Sequence, residues 1–250
     1  MFDWKMISQD PCSDAADVKW RIWYDKTCTR WELNVLSERD ERIIELLKSF
    51  SSNSRLRVLD IGFVEHSVLR TSSSGWFHRK LREINTFDVY GVDLLSEDVQ
   101  KIQEKYLYRN CYVGDVTDAS AVPIDGGKFD VIHAGDIIEH LSDMSGFFGF
   151  LRKNLRESGG VVFTTPNPHS IFRLFRLAKF GGSAANYEHV SWITPTNMNE
   201  LCRRYGFTFS CSVYSVKNKI KSLILKIGGK TAFKYRDLYF DEFVYIIEMR

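Results

Sequence analysis

Two short runs, Val58-Leu59-Asp60-Ile61-Gly62 and Tyr90-Gly91-Val92-Asp93-Leu94, constrain the fold of this chain more than any other stretch. Each is an apolar segment that ends on a polar or glycine position, the pattern of a buried parallel strand meeting a ligand-binding turn. The first stops at a glycine, where a backbone can approach a ligand closely. The second stops at a carboxylate, placed to accept hydrogen bonds from ribose hydroxyls across the carboxyl edge of a sheet. Two such strands in this order predict a nucleoside-containing cofactor.

The rest of the chain supplies the elements that such a sheet needs. Its 250 residues, 44% of them hydrophobic, suffice for one full core and predict a single α/β domain over residues 1–250. Residues 1–50 read as an amphipathic helical layer, with Trp20, Trp23, Trp31, Leu33 and Leu36 as apolar surface and Arg39–Leu47 repeating at helical spacing. Packing on the sheet and capping of a substrate mouth are both open to this layer. Strands are predicted over 56–62, 88–93, 110–113, 129–134 and 161–164. Helices are predicted over 76–84, over 97–106 with Ser96 as N-cap, and over 143–155 up to Gly159-Gly160. Alternating strands and helices imply right-handed crossovers and a mostly parallel, doubly wound sheet. In the tail, Pro195–Tyr205 reads as a helix ended by Gly206, and Phe207–Tyr214 and Phe243–Ile247 as two strands. No crossover helix separates those two, so the last of the seven strands is expected to run antiparallel.

Charge and cysteine usage exclude several classes. The formal net charge is +2, with acids and bases nearly balanced, which argues against a dedicated nucleic-acid binder. The five cysteines, Cys12, Cys28, Cys111, Cys202 and Cys211, are scattered without a Cys-x-x-Cys pair and read as buried thiols of a reducing compartment. The N-terminus lacks the basic start and apolar stretch of a signal peptide, and no apolar run is long enough to span a bilayer. A cytoplasmic protein is the expectation, and a homo-oligomer is compatible with it.

With these residues in place, the chain resembles the class I S-adenosylmethionine-dependent methyltransferases over roughly residues 55–250. The resemblance rests on Leu59–Gly62, the strand-end Asp93, Gly114-Asp115-Val116 and Phe129–Ile132 with Asp136–Leu141. It also includes Gly159-Gly160 before Val161–Thr165 and Pro166-Asn167. It implies the Rossmann-like methyltransferase fold and S-adenosyl-L-methionine as cofactor. Gly62 would then lie under the methionine part, with Asp60 fixing that loop. Asp93, with Leu94 beside it, would take the ribose, and Asp115 and Val116 the adenine. Ala134 and Gly135 would form a small-residue wall beside the sulfonium. One departure is Gly62-Phe63-Val64-Glu65-His66, where Glu65 stands in place of the family's second glycine. Either the turn is rebuilt around Glu65 or cofactor affinity is weakened.

On the acceptor side, Asp136, Glu139 and His140 follow the fourth strand and His189 follows the fifth. Three roles are open to them. His140 or His189, with Asp136 nearby, could act as general base for an O-methylation. Asp136, Glu139, His140 and His189 together could hold a divalent metal, since the spacing is similar to the Glu-x-x-Glu-His plus distant His set of ubiquinone-biosynthesis O-methyltransferases and small-RNA terminal methyltransferases, with Asp136 replacing the first Glu. Or Glu139 and His140 merely brace a helix and His189 its loop. The resemblance points to a small-molecule acceptor, with a sugar or glycan precursor as the leading expectation. A quinone- or phenol-type O-methyltransferase with a metal, and an inactive methyltransferase-like binding protein, are the alternatives. A nicotinamide enzyme is disfavoured because Gly-x-Gly-x-x-Gly is absent.

Two insertions are predicted, near residues 166–190 and 215–238. The first contains Ile171–Phe180, a basic amphipathic stretch that suits a cover over the active site or contact with a membrane. The second, with Lys217, Lys219, Lys221, Lys226, Lys230, Lys234 and Arg236, reads as a solvated insertion or as a seat for an anionic, sugar-linked acceptor. RNA is the least favoured partner.

Overall fold

The computed structural model describes residues 39–50, 55–65, 67–118, 127–181, 186–215 and 241–250. These all belong to one compact unit, Asn34–Arg250. Most of the expected N-terminal layer and the lysine-rich stretch 217–236 lie outside the described residues.

Seven strands form one sheet in the order β3-β2-β1-β4-β5-β7-β6. They are β1 (Leu56–Ile61), β2 (Phe87–Asp93), β3 (Cys111–Val113), β4 (Phe129–Gly135), β5 (Leu155–Pro166), β6 (Phe207–Ser215) and β7 (Glu242–Met249). The first five are parallel, and β7 runs antiparallel between β5 and β6. Register follows burial on both faces. Val58 pairs with Val131 and Leu59 with Ile132, so consecutive residues of each strand enter opposite layers. One layer holds Val58, Val131, Val162 and Val244 with Ile43, Leu47, Phe77 and Leu81. The other holds Leu59, Ile132, Val161 and Tyr245 with Phe147, Phe148, Phe150 and Met198. Each fully buried phenylalanine contributes about 1.5–3 kcal/mol by leaving water.

Helices α1 (Arg39–Lys48), α2 (Phe77–Arg82), α3 (Ser96–Tyr106), α4 (Met144–Asn154), α5 (Ile171–Phe180) and α6 (Pro195–Tyr205) complete the described elements. Their ends follow local chemistry. Asp143 caps α4 by accepting from Gly146 N at 2.9 Å. Thr194 and Asn197 form a reciprocal capping box on α6, Pro195 opens it, and Gly206 closes it at φ +74°. Two local expectations change. Ser96 is the first residue of α3 and not its cap, because Asp93 Oδ1 accepts from Leu95 N at 3.1 Å and draws the helix entry back by one residue. Gly159 and Gly160 do not follow a helix end. They lie inside β5, which begins at Leu155 and reaches full register with β4 only after an irregularity between Phe129 and Val131.

Candidate active site

The cavity that this sheet builds has a volume of about 500 Å³ and lies at the carboxyl ends of β1, β2 and β4. There the chain order reverses around β1, the place where open α/β sheets bind ligands. Gly62, Asp93, Leu94, Gly135, Asp136 and His140 line it, with Asp60 among its walls. Asp115, Val116, Ala134 and His189 do not. Val116 and Ala134 are buried in the core, and Asp115 Oδ1 accepts from the backbone N–H and hydroxyl of Thr117 at 2.8 and 2.7 Å.

The turn after β1 is rebuilt around Glu65. Gly62 takes φ +74° and Glu65 φ +54°, so a non-glycine residue occupies a left-handed position. Glu65 is held there because its Oε1 accepts from Phe77 N, the first residue of α2, at 3.1 Å. Asp93 ties the same turn to β2. Its Oδ2 accepts from Val64 N at 3.0 Å while its Oδ1 holds Leu95 N. Burial raises the Asp93 carboxyl above the ordinary range, and these N–H groups offset only part of that rise.

Beneath the cavity lies a buried constellation that the sequence pattern did not reveal. Asp60 Oδ1 is 2.7 Å from His133 Nδ1, and Oδ2 is 2.9 Å from His78 Nδ1. Burial works against the Asp60 charge, but the bonds from His133 and His78 more than offset it and hold the carboxyl below its usual range. Both Asp60 oxygens are thus engaged by imidazoles. The unpaired nitrogen beside Gly135 belongs to His133, whose Nε2 has no partner among the described residues. The sequence hint was a histidine inside the apolar run Phe129–Ala134, a costly place for an imidazole without a partner.

Arg39 was also unforeseen. From α1 it reaches across the cavity rim to Asp136 Oδ2 at 2.8 Å, Thr164 Oγ1 at 2.8 Å and Glu242 Oε2 at 2.9 Å. Burial opposes its charge, and the carboxylates of Glu242 and Asp136 outweigh that cost. Asp40 and Ile43 of the same helix line the cavity as well, so α1 forms part of its wall. Asp136, at φ +52°, is held by Arg39 and by Thr164, whose hydroxyl is 3.0 Å from Asp136 Oδ1. It therefore stands apart from the other three acceptor-side residues.

Those three come together. Ile138–His140 is one turn of 3₁₀ helix that turns Glu139 inward, to 0% exposure. Glu139 Oε2 accepts from the Thr165 hydroxyl at 3.1 Å, but Oε1 is buried without a hydrogen bond, 4.0 Å from His189 Nε2. The His140 and His189 rings meet edge to face at 4.7 Å. Backbone bonds from Val190 N and Ser191 N to the Glu139 carbonyl pin the His189 loop to this turn. Burial, then repulsion from Asp136, pushes the Glu139 carboxyl up to about 8. Burial and the neighbouring His140 lower His189. Glu139, His140 and His189 offer ligand atoms all within 4.8 Å of one another.

The fold, with its cavity at the carboxyl edge of the sheet, is that of a class I methyltransferase, and comparison with known proteins agrees. Residues 35–211 match the family model described as "Methyltransferase domain", and the chain belongs to that family. It is 23% identical over 194 residues to a ubiquinone biosynthesis O-methyltransferase of Aromatoleum aromaticum, covering 74% of this chain and 76% of that one. It is 26% identical over 159 residues to a malonyl-[acyl-carrier protein] O-methyltransferase of Legionella pneumophila, covering 63% of this chain and about half, 51%, of that one. The magnesium protoporphyrin IX methyltransferase of Synechocystis, solved with bound SAH, superposes with a TM-score of 0.51 at 16% identity, over 99% of this chain and 93% of that one. The protein is an S-adenosylmethionine-dependent methyltransferase. None of these three relatives is named for a sugar acceptor.

Proposed function

We propose that the chain acts as a single methyltransferase domain that moves a methyl group from S-adenosylmethionine to an oxygen of a small, phenol-type acceptor. The observation that carries the oxygen is His140, which lines the cavity with Glu139 and His189 packed behind it. A neutral amine can attack before it sheds a proton, whereas a hydroxyl becomes a competent nucleophile only as it loses one. The two curated relatives, both named O-methyltransferases, support the same reading.

In this reading Gly62, Asp93, Leu94 and Gly135 hold the cofactor at the sheet edge. The acceptor oxygen attacks the methyl carbon in line, the carbon–sulfur bond breaks with its electron pair going to sulfur, and alignment supplies most of the rate. His140, which reaches the cavity, takes the hydroxyl proton on an imidazole nitrogen. His189 braces the His140 ring edge-on, and its lowered basicity keeps it from competing as a cation. Arg39 and Thr164 hold Asp136 apart from the trio of Glu139, His140 and His189, on the cavity wall.

The trio also fits a divalent cation. It combines two imidazoles with a carboxylate whose Oε1 is buried and unpartnered, a donor set suited to a first-row metal. Glu139, His140 and His189 would be the ligands, with Asp136 excluded by its pairing to Arg39. A cation held there would supply Lewis acidity toward the acceptor oxygen. The test is methyl transfer to catechol-like and phenolic probes by wild type and His140→Ala, with and without chelator. Turnover that survives chelation but not the substitution supports the base. Turnover lost to chelation and restored by Mn²⁺ or Mg²⁺ assigns the trio to metal. No transfer to any hydroxyl probe, with cofactor bound, overturns the phenol-type acceptor.

A further inference from the structure

Helix α5 (Ile171–Phe180) leaves the sheet directly after β5, and none of its described side chains is among those lining the cavity. It presents an apolar face to solvent. Ile171, Leu174, Phe175 and Leu177 are 43%, 46%, 61% and 48% exposed. At 3.6 residues per turn these four and Ala178 fall within an arc of about 160°, and Arg173, Arg176 and Lys179 occupy the other side together with Phe180, which is 71% exposed. The helix contains no acidic residue. Exposed Tyr187 and Val190 follow it in the chain.

A water-facing helix ordinarily places polar residues outward and buries its apolar stripe. Here the stripe is outward and the charge is of one sign, the composition of a helix that lies in the plane of a lipid interface. We infer that α5 seats the protein on an anionic bilayer, with its apolar arc at the acyl boundary and its cations among the headgroups. The charge decides between occupants. Two copies meeting through the apolar arc would leave Arg176 and Lys179 on the far side, so that contact would make no use of the charge. A ten-residue helix also offers far less than the roughly 800 Å² per partner that a stable dimer buries. Negatively charged headgroups complement the same cations, each contributing favourably near the surface. The root of the helix points to the consequence. Arg173 lies over the Trp192 ring at 5.2 Å, and Trp192 meets His189 at 5.8 Å, so docking through α5 brings the acceptor edge of the sheet to the membrane surface.

The test is co-sedimentation of the whole protein with vesicles of phosphatidylglycerol and phosphatidylcholine in equal parts, against vesicles of phosphatidylcholine alone. Wild type should bind the anionic vesicles at least tenfold more tightly, and added salt should weaken that binding. Leu174→Glu with Phe175→Glu should lose binding to both. Arg176→Glu with Lys179→Glu should lose about tenfold or more on the anionic vesicles only. All four positions are solvent-exposed, so S-adenosylhomocysteine binding by calorimetry should be unchanged, which separates a docking failure from a failure of the methyltransferase reading. Absence of wild-type binding to anionic vesicles, or equal binding by the apolar-face variant, overturns the inference. A concentration-dependent dimer abolished by that variant assigns the face to a second copy instead and overturns it as well.

Discussion

Asp93, in the cavity wall, and Glu139, buried behind His140, are two carboxylates both raised by burial, and they are handled in opposite ways. Asp93 keeps two backbone N–H partners, one of which stitches the β1 turn to β2. Glu139 has one hydroxyl partner, an oxygen with none, and a neighbouring carboxylate in Asp136. The cofactor edge is thus pre-organised by the backbone and needs little from its ligand beyond contact. The acceptor edge stores unsatisfied polarity. A buried oxygen without a hydrogen bond costs about 1–3 kcal/mol, so it persists where chemistry uses it.

The largest effect that would sharpen this contrast is on turnover. His140→Ala should lower methyl transfer by roughly two to four orders of magnitude, while calorimetry with S-adenosylhomocysteine should show nearly unchanged affinity. If cofactor affinity falls in parallel, the two edges are not separable and the contrast is broken.

Stability against pH should follow Glu139. In the chelator-treated protein its carboxyl stays protonated up to about 8, against 4.5 for the free group. Below 4.5 it is protonated in both folded and unfolded chains and contributes no pH dependence. Between 4.5 and 8 the folded state retains a proton that the unfolded chain has released, so stability falls as pH rises, and the whole penalty is present above 8. Its size is on the order of a few kcal/mol. Denaturant melts of Glu139→Gln should lack this slope and should exceed wild type in stability at pH 8. An identical slope in both proteins would show that Glu139 is already satisfied.

A smaller effect is expected at the other edge. Asp93→Ala should weaken S-adenosylhomocysteine binding by roughly 1–3 kcal/mol, the loss of charge-assisted hydrogen bonds. Part of this comes from the freed Val64 and Leu95 N–H groups, so Asp93→Asn should recover some of it. Affinity that is indifferent to both substitutions would move the ribose contact elsewhere.

The smallest concerns the turn. Glu65→Gly relieves a left-handed residue but removes the bond to Phe77 N, and the two should offset to within about 1 kcal/mol in stability. Cofactor affinity should change only modestly. A large gain would show that the Glu65 side chain obstructs the cavity that it lines.

The apolar runs of β1, β2, β4 and β5 and the punctuation of α6 by Pro195 and Gly206 were legible in the amino-acid order. Strand burial and helix ends are set by residues close in sequence, so periodicity and local caps suffice to read them. The same holds for Gly62 and Asp93, which stand at the ends of readable strands. Chain order also showed that Glu139 and His140 fall together, because they are neighbours. It could not show that His189 joins them while Asp136 leaves for Arg39, a residue 97 positions away. Nor could it show that Asp60 spends both oxygens on His78 and His133, or that the apolar face of α5 turns outward. Those outcomes depend on which long-range partner reaches each buried group first. A buried charge takes the partner that the packing of distant elements supplies, and only the tertiary structure decides that.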